Sequence, residues 1–262
     1  VHVLDKLAYD LLRQLTPPLS KTCPASVYSA LNASASEIDE AYAELYSLYD
    51  AGLLFSEDDY EQIAAMIDPH PPVKALCLHI SHDCNLRCKY CFAGTGNFGG
   101  QRMLMPAQTA IDAMEFVRKA SGARKNIEVD FFGGEPLMAF DTVIQTVEYV
   151  RAREKEWGKS FRFTLTTNGL ALDEKKMDFI NREMSNVVLS LDGRPKVNDA
   201  LRCGIAGKGS YARVMPKLLK MAQSRNGKDY YVRGTFTRLN LDFAEDVLHL
   251  RNLGFKEISV EP

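Results

Sequence analysis

No run in this chain approaches the roughly 20 consecutive apolar residues that a membrane-spanning helix needs, and no secretory segment opens it. No membrane partner is therefore expected, and the cytoplasm is the expected compartment. Cysteine is sparse, six among 262 residues, and in that compartment disulfides are not expected. Internal repeats are absent, so the chain reads as a succession of distinct elements. Net charge is nearly absent as well, 32 Lys and Arg against 34 Asp and Glu, yet the balance is uneven. Residues 1–70 hold three basic against twelve acidic side chains, or −9, and the remainder holds 29 against 22, or +7. Phosphate neutralisation dominates nucleic-acid affinity, so an acidic segment of this kind predicts no nucleic-acid partner.

Hydrophobic content of 46% and charged content of 25% are ordinary globular values, and the length allows one barrel-like domain plus a small module. Residues 1–68 read as a short strand, three or four helices and a wing. Asp5 to Leu15 carries Leu7, Leu11 and Leu12 at helical spacing and stops at Pro17 and Pro18. Residues 24–31 form a short second helix. Ser34 with Glu37 forms a capping-box pattern before a third helix with Ile38, Ala41, Tyr42, Leu45, Leu48 and Tyr49 on one face. Leu53 to Phe55 reads as a wing strand, and a further helix follows over 57–66. The sum is a winged-helix-like module, bounded by the stiff Asp68 to Pro72 linker.

From residue 69 onward strands and helices alternate. Strands are predicted over 74–80, 127–132, 161–167, 187–191, 229–237 and 256–260. Helices are predicted from Pro106, Asp141, Asp173, Ser210 and Asp242. Six such units mean an α/β fold with a parallel sheet, either curled as a partial barrel or flat and doubly wound.

Parallel α/β folds carry their sites at the carboxyl ends of the strands, and four polar or glycine-rich motifs fall there. Cys84, Cys88 and Cys91, in C-N-L-R-C-K-Y-C, follow the first strand. Gly133, Gly134 and Glu135 follow the second, Thr167 and Asn168 the third, and Ser190 and Asp192 the fourth. With six cysteines the Cx3Cx2C spacing arises by chance in roughly three chains in a thousand, so it is read as chemistry. Three thiolates on one loop suit an iron-sulfur cube, with one iron left open. A structural zinc would need a fourth ligand from His79 or His82. Gly133 and Gly134 allow a ligand to approach the backbone, and Glu135 can attract an ammonium; a plain tight turn is the bland reading. Taken singly, the N-G and D-G pairs are also common turns.

Cx3Cx2C with Tyr90 before the third cysteine resembles the signature of radical S-adenosylmethionine (SAM) enzymes. The longer run S-H-D-C-N-L-R-C-K-Y-C-F-A-G-T-G-N-F-G-G-Q-R-M-L-M resembles the maturases of six-cysteine SCIFF peptides, within the SPASM-type peptide maturases. The resemblance implies a partial (β/α)6 TIM-like barrel, with a [4Fe-4S] cluster on Cys84, Cys88 and Cys91. It implies SAM bound by Tyr90, Gly133, Gly134, Glu135, Thr167, Asn168, Ser190, Asp192 and Arg202, the last meeting a carboxylate. Val260 to Pro262 resembles a segment near adenine. The implied activity joins a cysteine sulfur of a cysteine-rich precursor peptide to carbon as a thioether, with ferredoxin or flavodoxin as electron donor. Residues 1–68 would bind the precursor's leader by strand addition, or serve only as a structural cap.

Sulfatase maturation, carbon-carbon crosslinking and a non-catalytic metal-binding regulator are the alternatives. Gly94, Gly96 and Gly99 match a dinucleotide fingerprint but lack the strand directly before them that it requires; they read as a loop that can wrap the cube. Cys23, Cys77 and Cys203 read as buried or idle thiols, and Arg233 as a second guanidinium that could point outward. The chain starts at Val1 and ends at Pro262 after an apparent strand, so both ends read as cut. Thioether formation leaves a surplus electron, and auxiliary [4Fe-4S] clusters are expected only in a missing C-terminal region.

Overall fold

The structure, a computed structural model, describes residues 3–58, 60–68 and 70–262. The chain divides into two compact units, residues 1–70 and 71–262.

The first unit contains α1 (Lys6–Leu12), α2 (Ala25–Ala30), α3 (Ala35–Asp50) and α4 (Tyr60–Met66). Asp5 caps α1 by accepting from the Ala8 amide at 2.8 Å. Ser34 and Glu37 form the predicted capping box at the start of α3. The apolar stripes then bury Leu11, Leu15, Val27, Ile38, Tyr42 and Leu45 in one small core. The wing strand is not formed: no strand runs over residues 53–55, and Phe55 takes a φ of 53°, a left-handed backbone that cannot continue an extended strand. The predicted leading strand falls partly on residues 1 and 2, which lie outside the described residues. Among the described residues this unit contains four helices and no strand, so the winged-helix pattern is not reproduced.

The second unit runs β1 (Ala75–Ser81), β2 (Leu86–Cys88), α5 (Ala107–Ala120), β3 (Asn126–Gly133), α6 (Phe140–Arg151) and α7 (Glu154–Trp157). It continues through β4 (Ser160–Thr167), α8 (Glu174–Glu183), β5 (Asn186–Ser190), α9 (Pro195–Leu201) and β6 (Arg202–Gly204). It closes with α10 (Tyr211–Gln223), β7 (Asp229–Thr235), α11 (Phe243–Asn252) and β8 (Ile258–Glu261).

The main sheet has six strands in the order β1-β3-β4-β5-β7-β8, and every neighbouring pair is parallel. A doubly wound sheet reverses its strand order at a switch point; this order never reverses. Right-handed crossovers that always step the same way put all helices on one face, and the sheet is that of a partial (β/α)6 barrel. Strand alternation follows. In β3, Ile127, Val129 and Phe131 are buried while Glu128, Asp130 and Phe132 are not. The buried set joins Phe163, Leu165, Val187, Leu189 and Val232 in a core with Met114, Val147 and Leu218 of the helices. Each fully buried side chain of this kind contributes about 1.5–3 kcal/mol. The alternate set faces the concave side.

Candidate active site

The carboxyl ends of the strands form one rim, and the cysteine loop is folded onto it. Its backbone is held from both sides. β2 pairs antiparallel with β6, with Cys88 opposite Arg202 and Arg87 opposite Cys203, and Lys89 N donates to Leu201 O at 2.9 Å. On the other side Gly134 N donates to Ser81 O at 2.7 Å and Glu135 N to Asp83 O at 2.9 Å. That approach explains the glycine pair more directly than a ligand does. A Cβ at Gly134 would lie 2.2 Å from Asp83 O, and one at Gly133, whose φ is 120°, 2.5 Å from Ser81 O.

Glu135 is buried and meets three donors of its own chain: Leu137 N at 2.9 Å, Thr167 Oγ1 at 2.8 Å and Asn168 N at 2.8 Å. Burial pushes its carboxyl up, and the Asn168, Leu137 and Thr167 donors oppose that. Because a carboxylate offers about four acceptor positions, one is left for a further donor. Asn168 Nδ2 donates to Asn85 Oδ1 at 2.9 Å and lies 3.6 Å from Cys84 Sγ, so it joins this carboxylate to the cysteine loop.

A second cluster lies at the ends of β5 and β7. The Tyr90 hydroxyl donates to the Asp192 carboxylate, 2.8 and 2.9 Å from its two oxygens, and accepts from Arg202 Nη1 at 2.7 Å. Thr235 N adds a donor to Asp192 at 3.2 Å, and Arg202 lies 3.6 Å from the same carboxylate. Burial pushes Asp192 up while Arg202, Tyr90 and Thr235 pull it back. Burial works against the Arg202 charge too, but Tyr90, Asp192 and Cys88 more than offset it and hold its pKa above the ordinary value.

The cysteines fit a cluster. All three are half-buried free thiols. Leu86 N donates to Cys84 Sγ at 3.4 Å, and burial pushes the Cys84 thiol up to about 11 and raises Cys88, so holding both as thiolates requires a compensating positive centre. The loop closes tightly behind them: a Cβ at Gly96 would lie 2.7 Å from Cys84 Cβ. His79 and His82 do not join the cysteines. Their rings lie 4.7 and 5.0 Å from the Phe98 ring, and among the described residues no three His, Cys, Asp or Glu side chains gather around a single-ion position. Thiols bound to separate irons of a cube stand farther apart than ligands of one ion.

Of the predicted site residues, Tyr90, Glu135, Thr167, Asn168, Asp192 and Arg202 are thus linked to the cysteine loop. Ser190 ends β5 opposite Arg233. Arg233 forms an ion pair with Glu261, the two side chains being 40% and 43% exposed. Of the spare cysteines none is fully buried. Cys77 is exposed, because it stands on the concave face of β1 opposite Asp130, and the Cys203 thiol donates to Arg87 O at 3.1 Å behind the loop. Asn85 and Thr235 were not anticipated. Asn85 lies inside the motif, and Thr235 could have been found as the residue ending its strand at the rim.

Among the described residues no helix is long and apolar enough to cross a membrane. The chain is 25% identical to the radical SAM cyclopropyl synthase TigE of Paramaledivibacter caminithermalis, over 48% of this chain and 28% of that protein. It is 27% identical to the cysteine-type anaerobic sulfatase-maturating enzyme of Clostridium novyi, over 53% of this chain and 37% of that protein. The solved structure of anSMEcpe with bound AdoMet and Cp18Cys peptide superposes with a TM-score of 0.63 at 21% identity, covering 73% of this chain and 51% of the other. The chain therefore spans about half or less of the length of each of these proteins. Residues 78–237, which hold the cysteine loop and both carboxylate clusters, match the Radical SAM superfamily, and the chain belongs to that superfamily, whose members use a [4Fe-4S] cluster and SAM.

Proposed function

We propose that this chain is the SAM-binding part of a radical enzyme that modifies a peptide or protein. The observation that carries the proposal is the hydrogen-bonded joining of the three-cysteine loop to the Glu135 and Asp192 clusters at one rim. Cys84, Cys88 and Cys91 would hold three irons of a cluster and leave the fourth open to SAM. When bound, the cluster and SAM supply a carbon radical that can take hydrogen from a substrate C–H bond.

The remaining work belongs to the chain. The free acceptor position of Glu135 and the Gly133 and Gly134 carbonyls would receive the SAM ammonium. Arg202 has five N–H donors and commits one to Tyr90, which leaves others for a carboxylate. Asn168, Thr167, Ser190 and Asp192 would serve the ribose and methionine groups. The tightly matched networks hold these groups rigid and exclude water.

The substrate in this reading is a cysteine-containing peptide, and the product a thioether between its sulfur and a carbon. The resemblance of the cysteine loop to that of SCIFF maturases supports it, as do the peptide in the anSMEcpe structure and the proteins named above. A low-potential carrier such as ferredoxin or flavodoxin would deliver the electron, and a further electron acceptor would take the surplus one. Residues 1–68 would bind the leader peptide; with no strand among the described residues, that contact would rest on helices and on the −9 charge. Tight, salt-sensitive binding of the whole chain to duplex DNA would contradict it. Sulfatase maturation is the second reading, favoured by the Clostridium novyi relative.

The experiment is anaerobic incubation of the reconstituted enzyme with SAM, reductant and either a six-cysteine precursor or a sulfatase-derived peptide. Loss of a hydrogen pair from the first, with one thiol made unreactive, supports thioether formation. An aldehyde on the second supports the other reading. SAM cleavage that neither peptide alters would count against both.

A further inference from the structure

The concave face of the sheet carries a row of residues that the rim chemistry does not use. Strand register sets Cys77, Asp130, Thr164, Asn186 and Asp229 side by side across five strands. Barrel interiors are normally filled by bulky branched apolar side chains; this row is small and polar. Two of its oxygens, Asp130 Oδ1 and Asn186 Oδ1, are buried and have no hydrogen-bond partner. Burial pushes the Asp130 carboxyl up to about 6 from 3.8, against the opposing Arg233 charge, and Arg233 is already paired with Glu261. Thr164, Asn186 and Asp229 also line a cavity of about 950 Å³ at the amino end of the strands.

Buried polar groups in native proteins find partners, and an exception calls for a donor from outside the chain. Both orphans are acceptors, so the missing partner brings N–H or O–H groups. A metal cation fits poorly, since among the described residues no three His, Cys, Asp or Glu side chains converge on one point. Neighbouring strands lie about 4.8 Å apart, so Asp130 and Asn186, two strands apart, are separated by roughly 10 Å. That is about three residues of extended chain. Asp130 also stands three residues before Gly133, roughly 10 Å below the rim.

We infer that Asp130 and Asn186 form an acceptor pair that receives backbone N–H groups of a substrate peptide inserted into the barrel beneath the SAM-binding rim. This rests on the peptide-modifying reading above and adds to it the residues that hold the peptide. Thr164, between them, can donate or accept and completes the row. The row costs the empty enzyme stability and returns it when peptide is bound, a trade found at functional sites.

The test uses the cluster-loaded, SAM-bound protein and the probe acetyl-Gly-Ala-Cys-Ala-Gly-amide, with calorimetry for affinity and thermal unfolding for stability. Asp130→Leu and Asn186→Leu, near in volume to the originals, should each weaken peptide binding about tenfold, the loss of a hydrogen bond to a buried acceptor. Both should raise the Tm of the peptide-free protein. Asp130→Asn keeps an acceptor oxygen and should stay within about threefold of wild type. The same peptide N-methylated at its Ala and Cys amides should bind wild type as weakly as the parent peptide binds the Leu variants. Should one Leu variant fail to fold, the other carries the test from the opposite end of the pair. Unchanged affinity in a folded Leu variant, or equal binding of the N-methylated probe, overturns the inference while the peptide-modifying reading stands. A wild type that cleaves SAM but binds no peptide overturns the inference too; a wild type that cannot cleave SAM sinks the functional reading first.

Discussion

The rim and the wall of this sheet both carry a carboxylate with a buried oxygen on or just beyond β3, and treat it in opposite ways. At the rim Glu135 meets three donors of its own chain, each within 2.9 Å. On the wall Asp130 leaves one buried oxygen with no donor. The same contrast separates Asp192, ringed by Tyr90, Arg202 and Thr235, from Asn186. A matched network fixes its members before any ligand arrives, which suits a shelf for a cofactor of constant shape. An unmatched pair stores a demand for donors, which suits a surface that meets a substrate only transiently.

The comparison can be broken at its strongest point first. Arg202→Met removes the guanidinium from a buried ion pair, and should destabilise the second unit by about 3–5 kcal/mol, read by denaturant unfolding; a loss below about 1 kcal/mol would mean the rim is not the rigid part. Gly134→Ala drives a methyl against Asp83 O, 2.2 Å away, and should cost about 3 kcal/mol while shifting the cysteine loop. Cluster absorbance and unfolding midpoint would both report it. Glu135→Gln removes the charge proposed to face the ammonium, a contact of roughly 1.5–3 kcal/mol, so SAM should bind at least about tenfold more weakly with iron content unchanged. Equal SAM affinity in the variant would remove Glu135 from the site.

The wall responds instead to pH. Burial raises the folded Asp130 carboxyl to about 6 from 3.8, so the fold favours its protonated form. Its contribution to stability is complete below about 3.8 and is lost as pH climbs through 6. Asp130→Asn, which cannot ionise, should flatten that loss in the cluster-free protein, and Tm compared across this window measures it; parallel curves would show that Asp130 is not desolvated. The smallest effect sharpens the rim: Thr167→Val removes one donor from Glu135 and should cost about 1 kcal/mol.

Much of this arrangement was legible in the sequence. The six strands fall where apolar, β-branched runs predicted them, and Asp173 caps α8 by accepting from Lys176 N at 3.0 Å. The four rim motifs were legible because a parallel sheet sends every strand's carboxyl end to one side. The β2 and β6 pair was not. Each strand is three residues long and includes an arginine and a cysteine, so neither shows alternation, and only the contact between them makes either a strand. The wing failed for the converse reason: three apolar residues suggested a strand, but the left-handed backbone at Phe55 bends the chain away. Asp130 and Asn186 were hidden because polar residues alternating with apolar ones, as Asn126, Glu128 and Asp130 do in β3, read as outward positions. Only the unreversed strand order, with all helices on the other face, turns that outward face into the interior of a partial barrel.

The account stands or falls on what Cys84, Cys88 and Cys91 hold. Iron, sulfide and zinc analysis of the anaerobically reconstituted protein, run beside reductive SAM cleavage in wild type and in each Cys→Ala variant, tests this directly. The expected result is about four irons per chain with matching sulfide, and loss of both the brown absorbance and SAM cleavage in all three variants. Stoichiometric zinc in place of iron, or a single variant that still cleaves SAM at the wild-type rate, would contradict it.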